Sequence, residues 1–202
     1  MDYLQIIIPA VIAFLITVIV TPLIIPILKR IKAGQSIRED GPQSHMVKTG
    51  TPTMGGLAII AAVLITCLTS GRTTMDMLVM LGAFLAFGIL GFLDDFVKVT
   101  MKRNLGLTAK QKLVLQILIA VILAVYQSHT SVLGTKIAIP FIDMKVDFGI
   151  WYVPFIAFVV VSMVNAVNLT DGLDGLASGV TMIVALFFGF AGSISGSPSG
   201  TL

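Results

Sequence analysis

Asn165-Ala-Val-Asn-Leu-Thr-Asp-Gly-Leu-Asp-Gly-Leu-Ala177 closes an apolar run that opens at Trp151 and is long enough to cross a bilayer. Within it Asn165, Asn168, Asp171 and Asp174 recur at every third residue. Amides and carboxylates beside hydrocarbon cost free energy unless something pairs with them. The run therefore predicts a membrane helix, and its polar end predicts a binding site for a cation, a polar ligand or both. Three residues advance a helix by about 300°, so Asn165, Asn168 and Asp171 form a slanting stripe on one side. Gly172 and Gly175 should break the helix and free backbone N–H groups, leaving Asp174 on a turn. The plainer alternative is interhelical hydrogen-bond glue, which rarely needs two carboxylates.

The rest of the chain agrees with a membrane protein. It is 56% hydrophobic and 11% charged over 202 residues, with a mean hydropathy of +1.02. A water-soluble domain of that composition could not solvate its surface. Six spans are expected, at Leu4–Leu28, Gly55–Ser70, Met77–Leu93, Leu113–Leu133, Trp151–Leu169 and Leu176–Ser193. They make an all-α polytopic membrane domain over residues 1–202. The first run lacks a preceding basic residue and is too long for a cleavable signal. Pro22 and Pro26 predict a kink or an early stop in it. Gly88-Ile-Leu-Gly91 permits close helix packing. Residues 134–149 alternate apolar with polar or small and predict a short outer β-hairpin. Trp151 and Tyr152 mark the interfacial start of the next span. Cys67 lies inside an apolar run and, as the single cysteine, forms no internal disulfide.

The loops alternate in charge. Ten of the 13 basic residues follow the first and third spans, and only Arg72, Lys136 and Lys145 lie on the other side. Positive loops stay cytoplasmic, so the N-terminus is expected outside. Since insertion already explains the basic loops, a nucleic-acid partner is not expected.

This topology brings three polar clusters to the cytoplasmic face. One is Asn165–Asp174. Another is Asp94-Asp95, at the expected end of the third span. On their own the two aspartates could be a helix end meeting water, but carboxylates there oppose the macrodipole. Close carboxylates also repel, and a divalent cation relieves that repulsion; Mg²⁺ suits such oxygens, with waters and substrate phosphate completing its shell. The third cluster, Lys48-Thr-Gly-Thr-Pro-Thr-Met-Gly-Gly56, offers a lysine, hydroxyls and free N–H groups before a helix, which attract phosphate. Lys98 and Lys110 follow the acidic pair and could neutralise an anionic substrate, although each also serves as a topology anchor. Together these features suggest metal-assisted phosphoryl chemistry on a lipid. A transporter would also carry polar residues and broken helices, but near the midplane between inverted repeats; no repeat is visible here.

Lys48–Gly56, Phe92-Leu-Asp-Asp-Phe96 and Asn165–Gly175 together resemble the polyprenyl-phosphate N-acetylhexosamine-1-phosphate transferases, in particular the phospho-N-acetylmuramoyl-pentapeptide transferases among them. The resemblance runs from the first span to about Gly179. It implies a bacterial plasma-membrane enzyme moving phospho-MurNAc-pentapeptide from UDP-MurNAc-pentapeptide to undecaprenyl phosphate, with Mg²⁺, giving lipid I and UMP. A sister enzyme moving GlcNAc-1-phosphate is the alternative. The resemblance places the essential acidic pair at Asp94 and Asp95 and the active-site lysines at Lys48, Lys98 and Lys110. It places nucleoside contacts at Lys48, Gly172, Leu173 and Asp174, and further polar contacts at Thr53, Asn168 and Asp171; Asn165 joins them as a substrate-binding candidate. A homodimer is compatible with it.

Members of that family have about ten spans and a third essential aspartate in their second half. Against that pattern, residues 1–202 correspond to an N-terminal portion ending in a linker-like tail, residues 192–202. The 1–202 polypeptide alone is accordingly expected to be inactive. Purified 1–202 assayed for lipid I should give none, and detectable lipid I would refute this.

Overall fold

The computed structural model describes residues 4–30, 52–71, 73–101, 106–139 and 144–194. They form two compact units whose boundary falls between Lys112 and Leu113. The first unit holds α1 (Leu4–Arg30), α2 (Gly56–Thr69), α3 (Met75–Met101) and the first turn of α4 (Ala109–Thr130). The second holds the rest of α4, strands β1 (Lys136–Ile139) and β2 (Met144–Asp147), α5 (Tyr152–Thr170) and α6 (Leu176–Ile194).

Four helical stretches are long and apolar enough to cross a membrane: Ile6–Arg30, Met75–Met101, Ala109–Thr130 and Gly149–Thr170. Gly56–Thr69 and Leu176–Ala191 are apolar but fall below that length. Large apolar side chains such as Phe14, Ile19, Phe158 and Phe187 are exposed along the helices, as side chains facing hydrocarbon must be. This is a multi-pass membrane fold.

The early stop expected at Pro22 or Pro26 does not occur. The helix continues through Pro9, Pro22 and Pro26 to Arg30. Hydrocarbon cannot hydrogen-bond an opened backbone, so helix is retained where water would allow a break. The hydroxyls of Thr17 and Thr21 donate to the carbonyls of Ala13 and Thr17, at 2.8 and 2.7 Å.

In the first unit a small core of Leu28 and Met54, flanked by Ile24, Leu57, Phe92 and Val99, ties the ends of α1 and α3 to the start of α2. Met54 has φ of +69°, a left-handed conformation that non-glycine residues seldom adopt. Its carbonyl accepts the N–H of Leu57 at 3.1 Å and so begins α2. Only half of the Gly88–Gly91 pair packs closely. A Cβ on Gly88 would meet Ile60 Cδ1 of α2 at 2.8 Å, whereas one on Gly91 would meet nothing within 4 Å.

The second unit contains the hairpin as expected. β1 and β2 are antiparallel, with Lys136 opposite Asp147 and Ile139 opposite Met144. Opposite residues share a face, so Ile137, Ile139, Met144 and Val146 form an apolar side and Lys136, Ala138, Lys145 and Asp147 a mostly polar one. Asp147 ties the hairpin to the turn before α5. Its Oδ1 accepts the Thr135 hydroxyl at 2.7 Å and the Gly149 N–H at 2.9 Å. The Thr135 hydroxyl above all, then the Gly149 N–H and the nearby Lys136 charge, hold this carboxyl below its usual range. A 3₁₀ turn, Gly149–Trp151, leads into α5, and the rings of Phe148 and Phe155 pack at 4.7 Å. Trp151 is exposed, as an interfacial anchor should be, but Tyr152 is turned into the protein.

Candidate active site

The acidic pair does not end its helix. α3 runs through Asp94 and Asp95 to Met101, so the pair sits about 10 Å short of the helix end. Measured from Met75, Asp94 lies about 29 Å along the axis, near the far edge of a hydrocarbon core of about 30 Å. The helix can continue because Lys98, one turn on, neutralises what would oppose it. Residues three and four apart meet on a helix surface. The Lys98 Nζ lies 2.8 Å from Asp94 Oδ2 and 3.0 Å from Asp95 Oδ1. One ammonium thus bridges two carboxylates, with Asp94 the less exposed of the two, its side chain 13% accessible.

A second partner reaches Asp94 from the residues just before α4. The Leu107 N–H donates to Asp94 Oδ1 at 2.9 Å. This donor is aimed by a capping box at the start of α4. Thr108 N–H donates to Gln111 Oε1 at 3.0 Å, and Gln111 N–H returns to Thr108 Oγ1 at 3.3 Å. Both oxygens of Asp94 are therefore held, one by a charge and one by a backbone dipole. The Thr-x-x-Gln spacing is readable in the sequence, but its target is not.

The two carboxylates converge on one cation, an ammonium standing where a metal ion could sit. Hard oxygen donors and a pair of carboxylates suit Mg²⁺, whose shorter bonds of about 2.0–2.1 Å would require the Lys98 head group to move aside. No group of three or more His, Cys, Asp or Glu side chains that could hold a metal occurs among the described residues. The pair would accordingly bind an ion that keeps water or phosphate ligands. Lys110 lies exposed in the first turn of α4, and Thr53 is half-buried just before the left-handed Met54. Lys48 lies outside the described residues.

The second unit carries the polar stripe. α5 stops at Thr170, with Asp171 as its cap at ψ of +41°. Residues 171–175 form the turn, Gly175 takes φ of +79°, and α6 starts at Leu176. That positive φ favours glycine, and the expected break is where the glycines put it. Asn168, Asp171, Gly172, Leu173 and Asp174 are all exposed around it. Asn165 is placed differently. Its Nδ2 donates to Gln116 Oε1 of α4 and to its own-helix Val161 carbonyl, both at 2.8 Å. Gln116 is 1% exposed, and its Nε2 has no hydrogen-bond partner among the described residues. Nothing in the local pattern links residues 49 positions apart, so this tie could not be read from sequence.

The fold defines a helical membrane protein in which one lysine bridges a pair of adjacent aspartates and a polar turn separates two apolar helices. A family model described as glycosyl transferase family 4 matches residues 77–200, and a phospho-N-acetylmuramoyl-pentapeptide-transferase signature matches residues 48–60. The chain belongs to glycosyl transferase family 4. It is 57% identical over 210 residues to the phospho-N-acetylmuramoyl-pentapeptide-transferase of Alkaliphilus oremlandii, covering 98% of this chain and 63% of that protein. The protein of the same name from Alkaliphilus metalliredigens is 57% identical over 199 residues, 93% of this chain and 60% of that one. That from Clostridioides difficile is 51% identical over 189 residues, 93% and 59%. The chain thus spans about three-fifths of the length of these relatives.

The Gln116–Asn165 tie generates an asymmetric prediction. Asn165→Leu leaves a buried glutamine with both ends unpaired and should cost about 1–3 kcal/mol. Gln116→Leu removes the unpaired Nε2 together with the bond and should cost less, while Asn165 keeps the Val161 carbonyl. Thermal unfolding of the detergent-solubilised protein checks the order; equal losses would contradict it.

Proposed function

We propose that the complete protein transfers phospho-MurNAc-pentapeptide from UDP-MurNAc-pentapeptide to undecaprenyl phosphate, releasing UMP and forming lipid I. The observation that carries this is the convergence of Asp94 and Asp95 on a single cation, in a chain that belongs to this family. The supporting similarity is to relatives named for this transfer.

The lipid phosphate is the nucleophile. Its second pKa is about 6, so it is mostly ionised near neutrality and needs little help from a base. One of its oxygens forms a bond to the β-phosphorus of the nucleotide sugar, and the bond from that phosphorus to the bridging oxygen breaks. The bridging oxygen leaves with UMP, and no proton has to move. Asp94 and Asp95 would hold Mg²⁺, which would neutralise and orient phosphate oxygens. Lys98, which bridges the two carboxylates, would also supply positive charge for the substrate phosphates. Lys48 and Lys110 add positive charge for the same anions. The family resemblance assigns the nucleoside contacts to Lys48, Gly172, Leu173 and Asp174, and further polar contacts to Thr53, Asn168 and Asp171. The exposed backbone around the 171–175 break offers donors and acceptors that a continuous helix would hide. Asn165 positions its neighbours through Gln116. The site faces the cytoplasm, the N-terminus lies outside, and the bilayer supplies the lipid substrate.

The test is UMP release by the complete enzyme, with and without Mg²⁺, using UDP-MurNAc-pentapeptide and, separately, UDP-GlcNAc. Asp94→Asn, Asp95→Asn and Asp171→Asn should each lower the rate by at least about 10²-fold, and chelation should abolish it. Normal rates in all three variants would overturn the site assignment. Turnover of UDP-GlcNAc alone would overturn the substrate.

A further inference from the structure

We infer that Gly106 and Leu107 are positioning residues that clamp the Asp94 carboxylate from outside its helix, an inference that rests on reading Asp94 as part of the reaction site. Gly106 is buried against the turn of α3 that carries Asp94. A Cβ at Gly106 would overlap Asp94 Oδ1, and would stand 2.5 Å from the Asp94 main-chain oxygen and 2.8 Å from its Cγ. These approaches lie well inside van der Waals contact. A flexible side chain could yield, but the main-chain oxygen belongs to the hydrogen-bond ladder of α3 and cannot. Any residue larger than glycine therefore pushes this segment off the helix.

Leu107 gives the close approach its purpose. Its N–H sits 2.9 Å from Asp94 Oδ1, and it reaches that oxygen because nothing stands between the two backbones at Gly106. A charge-assisted bond of this kind is stronger than a neutral one. Lys98 holds the other oxygen at 2.8 Å. With both oxygens tied, the carboxylate keeps its orientation when Lys98 swings away. Without Leu107 it is free to rotate once Lys98 leaves. The clamp would thus keep Asp94 oriented toward a metal ion held in place of the ammonium. The capping box of Thr108 and Gln111 supports it by setting where α4 begins.

Such outer contacts to a ligating carboxylate typically carry about 10–100-fold in metal affinity or activity. In the complete enzyme, Gly106→Ala should raise the Mg²⁺ concentration for half-maximal UMP release by about that factor. Raised Mg²⁺ should restore much of the rate, and the KM for the nucleotide sugar should hold. Gly82→Ala, where an added Cβ meets nothing within 4 Å, should match the wild type. Hydrogen exchange on the wild-type protein supplies a readout that needs no activity and no folded Gly106 variant. The Leu107 amide should be protected, and Asp94→Ala should abolish that protection. An unprotected Leu107 amide, protection indifferent to Asp94→Ala, or a folded Gly106→Ala with the wild-type Mg²⁺ response would each overturn the clamp. Full activity of Asp94→Asn would instead sink the reading of the site, while the exchange result would still decide the clamp.

Discussion

Two adjacent carboxylates at the edge of a hydrocarbon layer need a cation, and much of the first unit is arranged around that need. Asp94 and Asp95 on an apolar helix would repel each other and would resist desolvation. Lys98 meets both within a turn of helix, which lets α3 extend to Met101 rather than end at the acidic pair. The Leu107 N–H then anchors Asp94 from the next element. Phe92 and Val99, on either side of the acidic turn, pack against Leu28 and Met54. The charged turn is thereby fixed to a small apolar core, so the carboxylates are placed by packing as well as by charge.

On the proposed reading, an ammonium and a metal ion would compete for the same two carboxylates. Lysine is suited to this part: a compact charge on a flexible stem that can leave one anion for another. Lys98 offsets one of the pair's two negative charges. The polar break at 171–175 obeys a different logic in the second unit. There the helix ends at Thr170 and the turn that follows leaves its backbone and side chains exposed.

Length and apolarity make the helices legible, since about 20 apolar residues leave few alternatives to a span. The hairpin is legible in its alternation, and the break after Thr170 in Gly172 and Gly175. The end of α3 lies beyond the Leu93 that the acidic pair suggests, because paired carboxylates imitate a helix terminus. The i+3 and i+4 spacing to Lys98 is in plain view, but its effect on helix length depends on one ammonium reaching both oxygens. The prolines of α1 suggest a stop that water would permit and lipid does not. Long-range features are out of reach of the sequence. Neither the Gln116–Asn165 bond, the left-handed Met54, nor the aim of Leu107 at Asp94 leaves a local signature. Asn165 belongs to the expected stripe, yet its amide is engaged by the neighbouring helix.

The central claim is that Asp94 and Asp95 form the divalent-cation site and that Lys98 occupies the same place in its absence. Electron paramagnetic resonance of Mn²⁺ titrated into the complete protein tests this directly, since Mn²⁺ takes the same oxygen ligands as Mg²⁺. One bound ion is expected in the wild type, displaced by excess Mg²⁺. It should be lost in Asp94→Asn and Asp95→Asn, and bound more tightly in Lys98→Met. Mn²⁺ binding unchanged across these three variants would contradict the account.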